Sequence, residues 1–123
     1  MDRRILIVDD SAFARRKLRQ ILEGAGYTVQ EVASGAEALE TYAVRKPDAV
    51  LLDIVMEGMD GLEVLAQLHA IDPDARIVIA SADVQSATRD EAFKLGAIGV
   101  VNKPFNTEEV LAAAQRAVES GTP

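Results

Sequence analysis

Four short apolar runs in this chain each end in a polar or charged residue, and that pattern restricts the fold more than any other feature. Ile5-Leu6-Ile7-Val8 leads into Asp9-Asp10, and Ala49-Val50-Leu51-Leu52 leads into Asp53. Ile77-Val78-Ile79-Ala80 leads into Ser81, and Val100-Val101-Asn102 leads into Lys103-Pro104. Runs without strict apolar–polar alternation are expected of parallel strands covered by helices on both faces. The C-terminal ends of parallel strands share one edge of the sheet, so the trailing groups converge. Three carboxylates, a hydroxyl and an ammonium brought together imply Mg²⁺-dependent chemistry on a phosphoryl group.

The segments between the runs read as helices. The first extends from about Ser11 to Ala25, with Phe13, Leu18, Ile21 and Leu22 as its apolar stripe. A strand over Thr28–Val32 follows. The next helix reaches about Val44, and Lys46-Pro47-Asp48 makes the turn into the third strand. Ser34 with Glu37, Asp60 with Glu63, and Asn106 with Glu109 have capping-box spacing. They start the second helix, the third (Gly61 to Ile71, with Leu62, Leu65 and Leu68 inward) and the last (about Thr107 to Glu119). A weaker helix covers roughly Ser86 to Leu95, and Ser120 to Pro123 reads as a frayed tail or linker stub. Right-handed crossovers then give a doubly wound α/β sheet of five strands. A closed (β/α) barrel is the competing architecture, and five units are too few to close one.

Length and composition exclude several classes. The 123 residues suit one domain with a real core. Aromatics make up only 4% of the chain, so that core is expected to be aliphatic. The absence of cysteine removes disulfide and thiolate chemistry. A formal charge of −7 argues against a nonspecific nucleic-acid surface. The first apolar run is too short for a signal-peptide core or a membrane span, which points to the cytoplasm. His69 stands alone and cannot build a usual zinc site. Gly24, Gly26 and Gly35 do not form a dinucleotide fingerprint.

Asp53 is the candidate phosphoryl acceptor, because a carboxylate at the end of the most continuous apolar strand is costly unless it has a purpose. Two unit charges about 4 Å apart interact by roughly 4 kcal/mol at an effective dielectric near 20. Asp9, Asp10 and Asp53 therefore repel one another unless a cation joins them. Mg²⁺, with Mn²⁺ as substitute, suits hard oxygen ligands from these acids and the backbone carbonyl near Val55. Lys103 can pair with Asp53 at rest and with a phosphoryl oxygen afterwards, and a cis Pro104 would aim it into the cleft. Ser81 can hydrogen-bond the phosphoryl group, and small Ala82 leaves access for donor or water. Arg15 and Arg16 could meet an acidic partner, and Ser11 is expected to cap the first helix.

In this order and spacing, these residues resemble the receiver domain of bacterial two-component response regulators, over essentially the whole chain. Asp9-Asp10-Ser11, the segment from Asp53 to Gly61, and Lys103-Pro104-Phe105 carry the resemblance, and Asp9 to Arg15 looks most like chemotaxis receivers. The resemblance implies a flavodoxin-like sheet of order 2-1-3-4-5. It also implies phosphotransfer to Asp53 from a sensor histidine kinase or histidine phosphotransfer protein, followed by hydrolysis. The protein is then a signalling switch rather than an enzyme, with a downstream target or phosphatase as further partner. It would be a monomer or a weak phosphorylation-dependent dimer, without membrane or nucleic-acid contacts. Two positions depart from the family pattern. Glu57 replaces a proline, which implies a looser turn, and Val100 replaces an inward-turning aromatic, which implies a switch of smaller amplitude. A metal-dependent phosphatase or hydrolase, and a degenerate binding module, are the alternatives.

Overall fold

The computed structural model describes residues 2–56, 58–82 and 85–120. Its elements are β1 (Arg4–Val8), α1 (Ala12–Gly24), β2 (Thr28–Val32), α2 (Gly35–Val44) and β3 (Ala49–Leu52), followed by β4 (Val55–Met56) and β5 (Met59–Asp60). Then come α3 (Gly61–Ile71), β6 (Ile77–Ser81), α4 (Ser86–Lys94), β7 (Gly99–Asn102) and α5 (Thr107–Ser120). Five strands form one parallel sheet in the order β2-β1-β3-β6-β7. Counting only these five, this is the expected 2-1-3-4-5 order. The sequence reading missed the antiparallel hairpin β4–β5.

Because side chains alternate across a strand, each strand divides its apolar residues between two cores. Leu6, Val8, Val50, Leu52, Ile77 and Ile79 face a layer containing Tyr42 of α2, Leu65 and Leu68 of α3, and Ala92 of α4. Ile5, Ile7, Ala49, Leu51, Val78 and Ala80 face Leu18 and Leu22 of α1 and Val110 and Ala114 of α5. Complete burial of one such leucine contributes roughly 1.5–3 kcal/mol. The core is aliphatic as expected, with Tyr42 its one fully buried aromatic among the described residues.

Phe13 does not belong to the buried stripe, for it is 79% exposed. The buried face of α1 runs through Ala14, Leu18, Ile21 and Leu22. Leu18 is four positions from Ala14 but five from Phe13, and five is off the helical period. Ser11 caps α1, accepting from the Ala14 N–H, and Ser34 accepts from the Glu37 N–H. The Glu37 carboxylate returns to the Ala33 N–H. Asp60 accepts from the Leu62 N–H without a return from Glu63, which engages Gln67 instead. Asn106 accepts from the Glu109 N–H, while Glu109 accepts from the Asn102 N–H. Helix α5 includes Ser120; the remainder of the expected tail, 121–123, lies outside the described residues, as does Glu57.

Tyr42 and Asp72 join the ends of α2 and α3. The Tyr42 hydroxyl donates to Asp72 Oδ2 at 2.6 Å, and Lys46 Nζ lies 2.8 Å from the same oxygen. Burial pushes the Asp72 carboxyl up, but bonds from Lys46, Tyr42 and the Asp74 N–H outweigh it and hold the group below its ordinary 3.8. Tyr42→Phe is expected to cost about 1–2 kcal/mol in urea unfolding at neutral pH. A depressed carboxyl contributes stability that is complete above its unfolded value and is lost as pH falls through the folded one. The difference between variant and wild type should therefore narrow below about pH 3.8 and stay constant above it.

Candidate functional site

Parallel pairing fixes where the polar ends lie. Leu52 is in register with Val8 and Ile79, and Ser81 with Asn102, so the residues following β1, β3 and β7 gather at one rim around the end of β6. Asp53 is 3% exposed there. Its Oδ1 accepts from Ser81 Oγ at 2.6 Å and from the Val55 N–H at 3.0 Å. Its Oδ2 lies 3.2 Å from Lys103 Nζ. The β1 acids complete the rim, and carboxylate oxygens of Asp9, Asp10 and Asp53 all lie within 4.8 Å of one another.

Lys103 is shared. Its ammonium is 2.9 Å from Asp9 Oδ2 as well as 3.2 Å from Asp53 Oδ2. Burial pushes the Asp9 carboxyl above its ordinary value, and the Asp53 charge adds to that, against the Lys103 and Ser11 hydrogen bonds. Burial acts downward on Lys103, yet the Asp9 hydrogen bond and the charges of Asp53 and Asp9 leave it raised. Asp10 is exposed, at the mouth. Three hard-oxygen donors this close, one disfavoured as an anion by burial, suit a small divalent cation such as Mg²⁺.

The hairpin after Asp53 is folded by a close approach. Gly58, with φ +74°, lies in its turn. Gly61 opens α3 against the β3 end, donating to the Ile54 carbonyl at 3.1 Å. A Cβ on Gly61 would come 2.1 Å from Ile54 Cα and 2.8 Å from the Asp53 carbonyl oxygen. Both obstacles are backbone, so they cannot rotate away. Gly61→Ala is expected to cost at least about 3 kcal/mol, the upper end for overpacking, and to move the Asp53 amide resonance. An unchanged melting temperature would refute this.

The structure brings Asp9, Asp10, Asp53, Ser81 and Lys103 together as the sequence reading expects. The Lys103–Pro104 peptide is cis. Val55 is exposed on β4, Ala82 is exposed beside Ser81, and Val100 is half-buried opposite Ile79 in the core layer that holds Ala92. Arg15 is not free for an outside partner. It donates to the Asp9 carbonyl at 2.7 Å and pairs with Glu31 at 3.1 Å.

Residues 5–115 match the family model of the response regulator receiver domain. The chain belongs to this family. Chemotaxis protein CheY of Thermotoga maritima is 43% identical to this receiver domain over 117 residues, which are 94% of this chain and 98% of that protein. Response regulator MprA of Mycolicibacterium vanbaalenii is 39% identical over 98% of this chain, which spans 52% of that longer protein. Among solved structures, chemotaxis protein CheY4 of Vibrio cholerae superposes with a TM-score of 0.90 at 29% identity, covering 95% of this chain and 99% of that one. The receiver domain is a phosphoacceptor signalling module, and the acidic rim at the strand ends is where such chemistry fits. No helix among the described residues is long and apolar enough to cross a membrane.

Sequence reasoning missed three residues of this receiver site. Gly61 makes its close approach to the Asp53 loop, Arg15 holds the Asp9 carbonyl, and Phe13 stands exposed at the rim beside Lys103 and Phe105. Only Gly61 carried a hint, as a glycine opening a helix where glycine is otherwise unfavourable.

Proposed function

We propose that Asp53 takes a phosphoryl group from the phosphohistidine of a sensor kinase or phosphotransfer protein. The observation that carries this is Asp53 itself: a buried carboxylate between a hydroxyl at 2.6 Å and an ammonium at 3.2 Å, with Asp9 and Asp10 alongside. An Asp53 oxygen forms the new P–O bond while the P–N bond of the donor breaks. The imidazole leaves with the electron pair and takes a proton from water. Asp9, Asp10, Asp53 and the Val55 carbonyl would hold Mg²⁺, or Mn²⁺ in its place, which neutralises charge on the phosphoryl oxygens. Lys103 stays close enough to exchange Asp53 for a phosphoryl oxygen. The Ser81 hydroxyl, freed from Asp53 Oδ1, turns its proton to another. Exposed Ala82 leaves water a path for hydrolysis, so the same site resets itself.

Wild-type protein incubated with acetyl phosphate and Mg²⁺ tests this. One acid-stable, base-labile phosphoryl adduct supports the switch. Rapid multiple-turnover release with no adduct supports a hydrolase, and no reaction supports a binding module.

The donor approaches over Phe13, which lines a cavity of about 350 Å³ with Ala14, Lys17, Lys103, Pro104 and Phe105. Phe13→Asp should slow transfer from a phosphohistidine protein about tenfold or more, by loss of an exposed aromatic contact. The rate with acetyl phosphate should stay within about twofold. Equal rates with both donors would exclude this face.

Output leaves through α4, β7 and α5. Helix α4 buries only Ala92 and has no side-chain cap, so little holds it. A Ser81 shift reaches it through Val100, with smaller amplitude than an aromatic there would give. Amide shifts confined to the Asp53 loop on addition of a phosphoryl mimic would refute this. The chain works as one receiver domain in the cytoplasm.

A further inference from the structure

We propose that Arg15 is a positioning residue for the metal-binding acids, acting through the Asp9 peptide; the inference rests on the phosphoacceptor reading above. Arg15 lies one turn into α1, and its guanidinium reaches back over the turn that joins β1 to the helix. Nη1 donates to the Asp9 carbonyl at 2.7 Å, while Nε is 3.1 Å from Glu31 Oε1 on β2. The other Glu31 oxygen is bonded by Arg19 Nε, and Arg19 Nη1 is 2.8 Å from Glu23. Arg15 and Glu31 are both mostly buried, at 19% and 25% side-chain exposure.

The Asp9–Asp10 turn is thereby held from every side. The Asp9 N–H donates to the Val32 carbonyl at 3.2 Å, and Asp9 Oδ1 accepts from the Ser11 N–H at 2.9 Å. With its carbonyl bonded by Arg15, the peptide plane between Asp9 and Asp10 is restrained. That plane sets the backbone from which the Asp10 carboxylate extends, and Asp10 is the one acid of the three that is exposed. A planar fork with several N–H groups at fixed angles can serve a carboxylate and a carbonyl together, which a lysine ammonium on its flexible stem does poorly.

The effect expected of removing Arg15 is opposite in sign to that of simple electrostatics. Arginine is a cation near a cation site, so deleting its charge should tighten metal binding if charge is all it supplies. Partners that orient ligands typically cost 10- to 100-fold in metal affinity when removed. The experiment is a Mg²⁺ titration of the full chain and its variants, followed by amide shifts of Asp10 and Ser11, with melting temperatures alongside. Arg15→Gln and Arg15→Lys should each weaken Mg²⁺ about tenfold, and both should speed metal-free hydrogen exchange at the Asp10 amide. Arg19→Gln, which loses Glu31 but no contact with Asp9, should lower the melting temperature yet leave affinity within about twofold.

Tighter binding in Arg15→Gln, wild-type affinity in Arg15→Lys, or an equal loss in Arg19→Gln would each overturn the assignment. If an Arg15 variant fails to fold, Glu31→Gln, which removes the outer anchor and keeps the guanidinium, should still weaken Mg²⁺ by a few-fold. Wild-type affinity in that variant would count against the assignment. Wild-type protein that binds no Mg²⁺ would overturn the phosphoacceptor reading itself, whereas tight wild-type binding with indifferent variants overturns the Arg15 role alone.

Discussion

Asp53→Asn is expected to abolish the phosphoryl adduct formed with acetyl phosphate and Mg²⁺ while leaving the protein folded. The amide is close in shape to the carboxylate and can still accept through Oδ1 from Ser81 and the Val55 N–H, which lie 2.6 and 3.0 Å away. What it lacks is a nucleophilic oxygen anion, and its NH₂ would face the Lys103 ammonium at the 3.2 Å position now taken by Oδ2. Two stability effects oppose each other. One partner of Lys103 is lost, but the Asp53 charge that adds to the upward push on Asp9 is lost too. The net change should stay within about 1 kcal/mol, since Lys103 retains Asp9 at 2.9 Å. Loss of one of three acids should also weaken Mg²⁺ by at least about tenfold. Intact-mass measurement checks the first effect and thermal unfolding the second. An adduct persisting in Asp53→Asn would move the acceptor to another residue and overturn the reading.

What the sequence made legible divides along a physical line. Asp53, Ser81 and Lys103 could be placed because a parallel sheet puts every strand's C-terminal end on one edge, whatever the loops do. Residue identity and strand order were then enough. Phe13 was misread because the apolar stripe runs through Ala14, a residue too small to announce the phase of α1. The β4–β5 hairpin was invisible because two-residue strands have no periodicity to detect. Arg15, Glu31 and the Tyr42–Asp72 pair depend on side chains meeting across 16 and 30 positions, a matter of tertiary packing that local patterns do not encode.

Lys103→Met should separate the ammonium's structural role from its chemical one. At present one cation answers two nearly sealed anions, Asp9 and Asp53, at 1% and 4% side-chain exposure. Methionine keeps the apolar stem and removes the charge, leaving two buried carboxylates with their neutral hydrogen bonds from Ser81, Val55 and Ser11 but without the Lys103 ammonium. Deleting one partner of a buried pair costs about 3–5 kcal/mol. Lys103 is 25% exposed, so water screens part of this and roughly 2–3 kcal/mol is expected. For a chain of this size that is about 10 °C in melting temperature. Mg²⁺ should then rescue the variant more than it stabilises the wild type. The ion has no ammonium to displace from Asp9 and Asp53, and saturating metal at about 100 times its dissociation constant contributes roughly 2.7 kcal/mol by mass action. Stability and signalling should thus move apart: the variant with Mg²⁺ is expected to fold and to take a phosphoryl group on Asp53, with no ammonium to draw that group toward β7. Amide shifts in α4 and β7 on addition of a phosphoryl mimic should shrink accordingly. A Lys103→Met protein as stable as wild type without Mg²⁺ would mean that Lys103 is not the resident counter-ion of this rim.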